Sequence, residues 1–171
     1  GTPTGYVTHA QEGAMGGDAR IAIMRDGHIE QVGPPREVYE QPVNEFIARF
    51  VGDPGINFLD CARRPAPLAD VSIPQDAATA GLRPEDLTTV DAATDDRVVF
   101  DGRIEIVEPV GHGYEVTVDT GKRTVTALLD RFFDGGTTDE TVRFAFDPTD
   151  LYWFDADGRR PVACAVRPQP R

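Results

Sequence analysis

Residues 98–129, VVFDGRIEIVEPVGHGYEVTVDTGKRTVTALL, decide the fold of this chain. Three runs within them, Val98–Val110, Glu115–Asp119 and Thr124–Leu129, are rich in β-branched and apolar residues and are typical of β-strands. Short stretches that contain glycine separate the runs and favour tight turns. Strands that follow one another so closely predict a small barrel or sandwich of the OB-like kind.

The same strand pattern continues on both sides of this stretch. Further predicted strands are Ile56–Cys61, Val71–Ile73, Thr79–Leu82, Thr141–Phe146, Leu151–Phe154 and Val162–Ala165. Arg63–Asp70, which contains two prolines, and the acidic Asp91–Asp96 are predicted to be loops. Residues 53–171 therefore read as mainly β, with enough strands for two adjacent small β-barrels.

Residues 1–52 combine strands with helical patterns. Tyr6–Thr8 has the composition of a strand end, and Asp26-Gly27 between two apolar runs predicts a β-hairpin. A helix is predicted after Pro34-Pro35, because proline suits the first helical turn, and it ends at Pro42.

A second short helix is predicted from Phe46, Ile47, Phe50 and Val51, which fall on one helical face. The composition of Gly52-Asp53-Pro54-Gly55 predicts a linker. This segment marks the boundary between the two parts of the chain.

Charge and composition exclude several functional classes. The 171 residues include 17 basic and 29 acidic ones, a net charge of −12, which opposes a nucleic acid or an anionic membrane surface as the main partner. Ser72 is the single serine and lacks a nucleophile motif, which excludes a serine hydrolase. Cys61 and Cys164 are far apart and read as free thiols rather than zinc ligands.

A resemblance to a known family begins at Tyr6-Val7-Thr8-His9-Ala10-Gln11-Glu12. This segment resembles the switch region of ABC-transporter ATPases, whose usual form is V-T-H-D-Q. The segments that follow, through the hairpin and as far as Phe46–Gly52, are similar to the tail of importer-type ATPases and occur in the same order. The resemblance implies that residues 1–52 are a small α/β remnant of an ABC ATPase domain.

The second part of the chain resembles the regulatory domain that follows such ATPases. Asn57-Phe58-Leu59, Gly81-Leu82-Arg83-Pro84-Glu85-Asp86-Leu87 and Phe144–Tyr152 are similar to its start, its central motif and its closing strands. The resemblance identifies residues 53–171 as an OB-like, transport-associated (TOBE) regulatory domain. The junction at residues 52–59 is most similar to the sugar and glycerophosphodiester importer branch.

The family resemblance makes His9 the candidate catalytic residue. In the family this switch histidine contacts the γ-phosphate of ATP and helps to place the attacking water. The resemblance implies ATP and Mg²⁺ as cofactors of an intact parent protein. This chain has no phosphate loop, signature motif or catalytic carboxylate, so we expect it to be inactive alone, with no cofactor or metal of its own. Ala10 departs from the family, which has aspartate there.

The resemblance also implies partners and a location. The parent would bind transmembrane permease subunits and a second ATPase subunit, and would drive uptake of a small solute such as a sugar. It would lie in the cytoplasm against the inner face of the cell membrane, without inserting into it. The regulatory part could form a homodimer, and no nucleic-acid partner is expected.

Alternative readings stay open at this point. The β-rich part could be a stand-alone OB-type module that binds a small ligand, and Ala10 also fits an inactive remnant of an ATPase. Arg83 could pair with Glu85 or Asp86 and lock the domain, or form a structural corner. His28 is expected at the surface.

Overall fold

The computed structural model describes residues 20–91, 96–111, 113–130 and 138–160. The strands are β1 (Ile21–Arg25), β2 (His28–Gly33), β3 (Asn57–Asp60), β4 (Thr79–Leu82), β5 (Thr88–Thr89), β6 (Val98–Val110), β7 (Gly113–Asp119), β8 (Thr124–Asp130), β9 (Thr141–Phe146) and β10 (Tyr152–Phe154). The helices are α1 (Pro35–Glu40) and α2 (Glu45–Phe50), with 3₁₀ turns at Ala66–Leu68, Pro84–Asp86 and Pro148–Asp150.

The first sheet is the predicted hairpin of β1 and β2. Asp26 and Gly27 both have positive φ, 50° and 79°, as the turn that fits the twist of a two-stranded ribbon requires. Both predicted helices pack on one face of this hairpin, where Ile23 of β1 contacts a cluster of buried aliphatic side chains from α1 and α2. The side chain of Asn44 accepts a hydrogen bond from the backbone amide of Ile47 at 2.9 Å and so caps the start of α2.

The largest sheet has five antiparallel strands in the order β5-β9-β6-β7-β8. The long strand β6 pairs with β9 through its first half and with β7 through its second half. The register shifts between Ile104 and Ile106, which places Glu105 as an extra residue in a β-bulge. A bulge bends a strand and re-aims the side chains that follow it, so β6 can serve both halves of the sheet.

The core lies between this sheet and a second one of order β10-β4-β3. Along β8, Val125, Ala127 and Leu129 are buried and alternate with more exposed residues, which is the two-residue period of a half-buried strand. Phe100 stacks on Phe144 with ring centroids 5.7 Å apart. The prediction of a mainly β, OB-like fold is confirmed.

One predicted strand is wrong. Val71–Ile73 forms no strand, although Val71 is buried in the core. Its apolar character reflects packing under the loop that contains the Ala66–Leu68 turn, where Leu68 is also fully buried. The predicted strands Tyr6–Thr8 and Val162–Ala165 lie outside the described residues.

Candidate functional site: the junction around Arg83

Arg83 lies at the centre of the junction between helices α1 and α2 and the β-rich part of the chain. Its side chain is fully buried, and it is the one charged side chain among the buried residues of the described part. Pro84 follows it and begins a 3₁₀ turn, so the backbone at Arg83 is extended and its side chain leaves the sheet towards the helices. A buried guanidinium is stable only where acceptors replace its lost water.

The acceptors are carbonyl groups from the ends of both helices. Nη1 of Arg83 donates to the carbonyl oxygens of Ala48 at 3.2 Å and Val51 at 2.6 Å, at the end of α2. Nη2 donates to the carbonyl oxygen of Tyr39 at 3.1 Å, near the end of α1. The last carbonyls of a helix lack partners within the helix and carry partial negative charge, so one cation satisfies two helix ends at once.

Aromatic rings enclose the same guanidinium. Its central carbon lies 4.0 Å from the ring centroid of Tyr39 and 5.7 Å from that of Tyr152. The Tyr39 hydroxyl donates a hydrogen bond to the carboxylate of Glu85. Burial, and then this carboxylate, raise the pKa of Tyr39 above its ordinary range, so the hydroxyl remains a donor at physiological pH.

Gly52 completes the arrangement. Its φ of +112° is a conformation that favours glycine. A Cβ atom there would lie 2.9 Å from Nη1 of Arg83 and 3.2 Å from the ring of Tyr39. The first residue of the predicted linker is therefore fixed by the junction.

An apolar layer lies beside the guanidinium. Ala48 of α2 packs with Ile56, Phe58, Tyr152 and Phe154, all of which are buried. They come from α2, from the two edge strands of the three-stranded sheet and, for Ile56, from the residue that precedes β3. The layer removes the junction from water, which strengthens the hydrogen bonds of Arg83.

A second polar contact holds the start of α2. The backbone amide of Glu45 donates to the carbonyl oxygen of Gly158 at 2.8 Å, and the amide of Arg160 donates to Val43 at 3.1 Å. Residues 43–45 and 158–160 thus meet as a short antiparallel bridge. Both ends of α2 are attached to the β-rich part.

Asn57 fastens β3 to the edge of the five-stranded sheet. Its side-chain amide donates to the carbonyl oxygen of Thr126 at 2.8 Å and accepts from the Thr126 amide at 2.7 Å. The same Nδ2 group also donates to the carbonyl oxygen of Leu82 at 3.2 Å. The Asn57 side chain thus makes the two backbone hydrogen bonds that a neighbouring strand would otherwise make with Thr126, so the edge of β8 is satisfied at this residue.

The predicted roles of Arg83 have separate outcomes. The observed partners of its guanidinium are backbone carbonyl oxygens of both helices, and the suggested ion pair with Glu85 or Asp86 stays a prediction. The structural-corner reading agrees with the observed geometry. Tyr39 and Gly52 were missed as its partners, and the signal available was the position of an arginine between the apolar Gly81-Leu82 and a proline.

The remaining candidates contribute no reactive site in the described residues. His9, the predicted catalytic residue, lies outside them. His28 is exposed, as expected. Burial, and then Asp60, raise the pKa of the Cys61 thiol, which keeps it protonated and unreactive. Across the four described ranges, no group of three or more histidine, cysteine or acidic side chains could hold a metal ion.

In the part of the chain that the structure describes, no helix has the length and apolar character needed to cross a bilayer. The two α-helices have six residues each.

The sequence model of the TOBE domain matches residues 80–154, which run from β4 through the five-stranded sheet to β10. The chain carries a TOBE domain. Arg83, at the end of β4, belongs to this domain, while the helix carbonyls that it binds precede the matched residues.

Curated relatives extend the similarity beyond the TOBE domain. The sn-glycerol-3-phosphate import ATP-binding protein UgpC of Brucella abortus biovar 1 (strain 9-941) is 38% identical over 166 residues, covering 94% of this chain and 47% of the relative. UgpC of Rhizobium meliloti (strain 1021) is 40% identical, with the same coverage. The alpha-glucoside transport ATP-binding protein AglK of that strain is 34% identical, covering 90% of this chain and 47% of the relative.

The chain spans about half the length of the curated relatives it matches. The similarity covers the C-terminal region of these ABC importer ATP-binding subunits, in agreement with the resemblance found in the sequence. The TOBE domain and the two helices that it holds are therefore both part of the shared region.

Proposed function

We propose that this chain acts as the C-terminal portion of the ATP-binding subunit of an ABC importer. Residues 1–52 would complete the ATP-binding domain, and residues 53–171 would form its TOBE regulatory module. The parent subunit would couple ATP hydrolysis to uptake of a small solute of the sugar or glycerol phosphate class. The transport functions in the names of the relatives, and the similarity to their C-terminal region, support this proposal.

The structural observation that carries the proposal is the outer face of the β1–β2 hairpin. Met24 lies directly opposite Ile29, and Ala22 lies opposite Val32. All four are exposed: Met24 retains 57% of its accessible surface and Ile29 retains 60%. Since directly opposed residues share one face of a sheet, these side chains form one apolar patch.

The inner face of the same hairpin is apolar as well, because Ile23 packs against α1 and α2. Strands that are apolar on both faces are typical of a sheet with a second layer over it. The proposal supplies that layer from the ATP-binding half that the relatives possess and that this chain does not span.

In the assembled subunit, the switch residue His9 would contact the γ-phosphate of bound ATP and help to position the attacking water. The ATP-binding half would supply the groups that hold ATP and Mg²⁺. Permease subunits and a second ATP-binding subunit would be the partners, at the cytoplasmic face of the membrane. The Arg83 junction would hold the regulatory module in a fixed position on the ATP-binding domain.

Fragment complementation tests this proposal. The ATP-binding half of the Rhizobium meliloti UgpC relative is produced separately, mixed with this chain, and assayed for complex formation and phosphate release. We expect a complex and ATP hydrolysis that neither fragment shows alone. Ile29→Lys should abolish the complex, because it places a charge in the apolar patch.

The matched control is Ile106→Lys, which changes a similarly exposed isoleucine on the other sheet (50% exposed) and should leave the complex intact. His9→Ala should form the complex but lose phosphate release. Failure of the two halves to associate, or equal effects of the two lysine variants, would contradict the proposal.

A further inference from the structure

The outer face of the β6–β7–β8 sheet carries apolar side chains that are exposed in the described part of the chain. Val116 and Val118 of β7 point into the core, so Glu115 and Thr117, which alternate with them, point outward. On β6, the bulge at Glu105 turns Ile106 to this outer face, where it keeps 50% of its accessible surface, and Val110 keeps 37%. Large aliphatic side chains that lie together on one face of a sheet are usually buried by another part of the protein or by a partner.

Two carboxylates lie between these apolar side chains. Glu108 of β6 is directly opposite Glu115 of β7, so both project from the outer face. Like charges in directly opposed positions destabilise a sheet. Neither carboxylate has an ion pair with any residue in the described ranges. The fold therefore maintains an unfavourable pair that a cation from outside would relieve.

A cleft of about 610 Å³ adjoins this face, between the 53–54 segment and the sheet. Its apolar walls include Pro54, Val110 and Leu128, and Leu128 lies directly opposite Glu115. Asp53 and Asp130 add carboxylates at its rim. No basic side chain is found among the described residues that line it.

We propose that this face is a docking site for a basic, partly apolar peptide segment of a protein partner. Aliphatic groups of the segment would cover Ile106, Val110 and Leu128, while an arginine or lysine would lie between Glu108 and Glu115. The sign of the charge favours a cationic peptide over a nucleic acid or an anionic ligand. The inference goes beyond the proposed function, because it needs neither ATP nor the ATP-binding half.

The test uses the full 171-residue chain and a fluorescent peptide of alternating arginine and leucine, with binding followed by fluorescence anisotropy. Glu108→Gln combined with Glu115→Gln should weaken binding about tenfold, as expected for the loss of two exposed ion pairs. Val110→Ser should also weaken binding while leaving the charge unchanged. Thermal unfolding of each variant verifies that the fold is retained.

The matched control is Asp70→Asn combined with Asp76→Asn, which removes the same charge from exposed loop positions elsewhere. It should leave the affinity within about twofold of the unmodified chain. Equal loss in the two double variants would mean non-specific attraction and overturn the inference. Self-association of the chain that the Glu108/Glu115 variant abolishes would also overturn it, because the occupant would then be a second copy.

Discussion

Replacement of Arg83 by methionine tests whether the guanidinium holds the helices to the TOBE domain. Methionine keeps most of the side-chain volume but removes the charge and all three hydrogen bonds to Tyr39, Ala48 and Val51. The carbonyl oxygens of two helix ends would then be left in a site that is closed to water.

The expected loss can be worked from these contacts. A hydrogen bond to a charged group contributes about 1.5–3 kcal/mol, so three of them at the low end give roughly 4–5 kcal/mol. Methionine also removes the cost of burying a charge, and Nε of Arg83 has no hydrogen-bond partner within the described residues, which lowers the net loss. We therefore expect Arg83→Met to lower the free energy of unfolding by about 3 kcal/mol. Small domains have only about 5–15 kcal/mol in total.

The assay is urea unfolding, followed by circular dichroism and by the emission of Trp153, which is the single tryptophan and is buried in β10. Hydrogen exchange of the backbone amides localises the effect. The amides of Ala48 and Val51 should lose protection in the variant, while those of β7 should change much less, because the junction opens locally. Arg83→Lys should lose about half as much stability, since one ammonium group lacks the fork that spans two helix ends.

Arg143→Met is the matched control. Its guanidinium is exposed and pairs with Asp101 at 3.0 Å, so its removal should change stability by less than about 1 kcal/mol. The reasoning would be refuted if Arg83→Met and Arg143→Met unfolded at the same urea concentration with unchanged exchange in α2.

Three further predictions concern Gly52 at the junction, Asn57 at the edge of β8 and Asp119 at the end of β7. Gly52→Ala should lower the free energy of unfolding in a urea titration by about 1–2 kcal/mol, because φ at this position is positive and the new Cβ would meet the buried guanidinium. Gly55→Ala is the control and should be nearly neutral, because a Cβ at Gly55 would enter open space. Asn57→Leu should accelerate hydrogen exchange of the Thr126 amide in β8, since leucine can neither accept from that amide nor donate to the Thr126 carbonyl; unchanged exchange there would contradict the pairing. Asp119 accepts a hydrogen bond from a turn amide and lies beside a guanidinium, which together hold its pKa below the usual range. Its contribution to stability is therefore present above the unfolded-state pKa and lost as the pH falls through the folded-state value, and Asp119→Asn should give a shallower loss of stability in acid.

The local pattern of residues in the sequence was sufficient to predict most of the strands, helices and turns. The hairpin around Asp26-Gly27 and strand β6 were predicted because turn chemistry and the two-residue alternation act between close neighbours. The TOBE resemblance was recognised in the Gly81–Leu87 motif for the same reason, since a motif is a local arrangement of residue types. Val71 was misread, because an apolar residue packed under a loop has the same local signal as one in a strand.

The candidate site depended on the tertiary structure. The sequence marked Arg83 as a residue of interest, but its acceptors at Tyr39, Ala48 and Val51 lie 32 to 44 residues earlier in the chain. The sequence places acidic residues next to Arg83, whereas in the structure its guanidinium binds backbone carbonyls. These acceptors could not be predicted, because helix ends present unpaired carbonyl groups to a side chain only after the helices have formed and docked. The sequence by itself determined the strands, the turns and the family resemblance, through interactions between neighbours. Only the tertiary structure decided which distant groups share the buried space around Arg83, and so which residues fasten the helices to the TOBE domain.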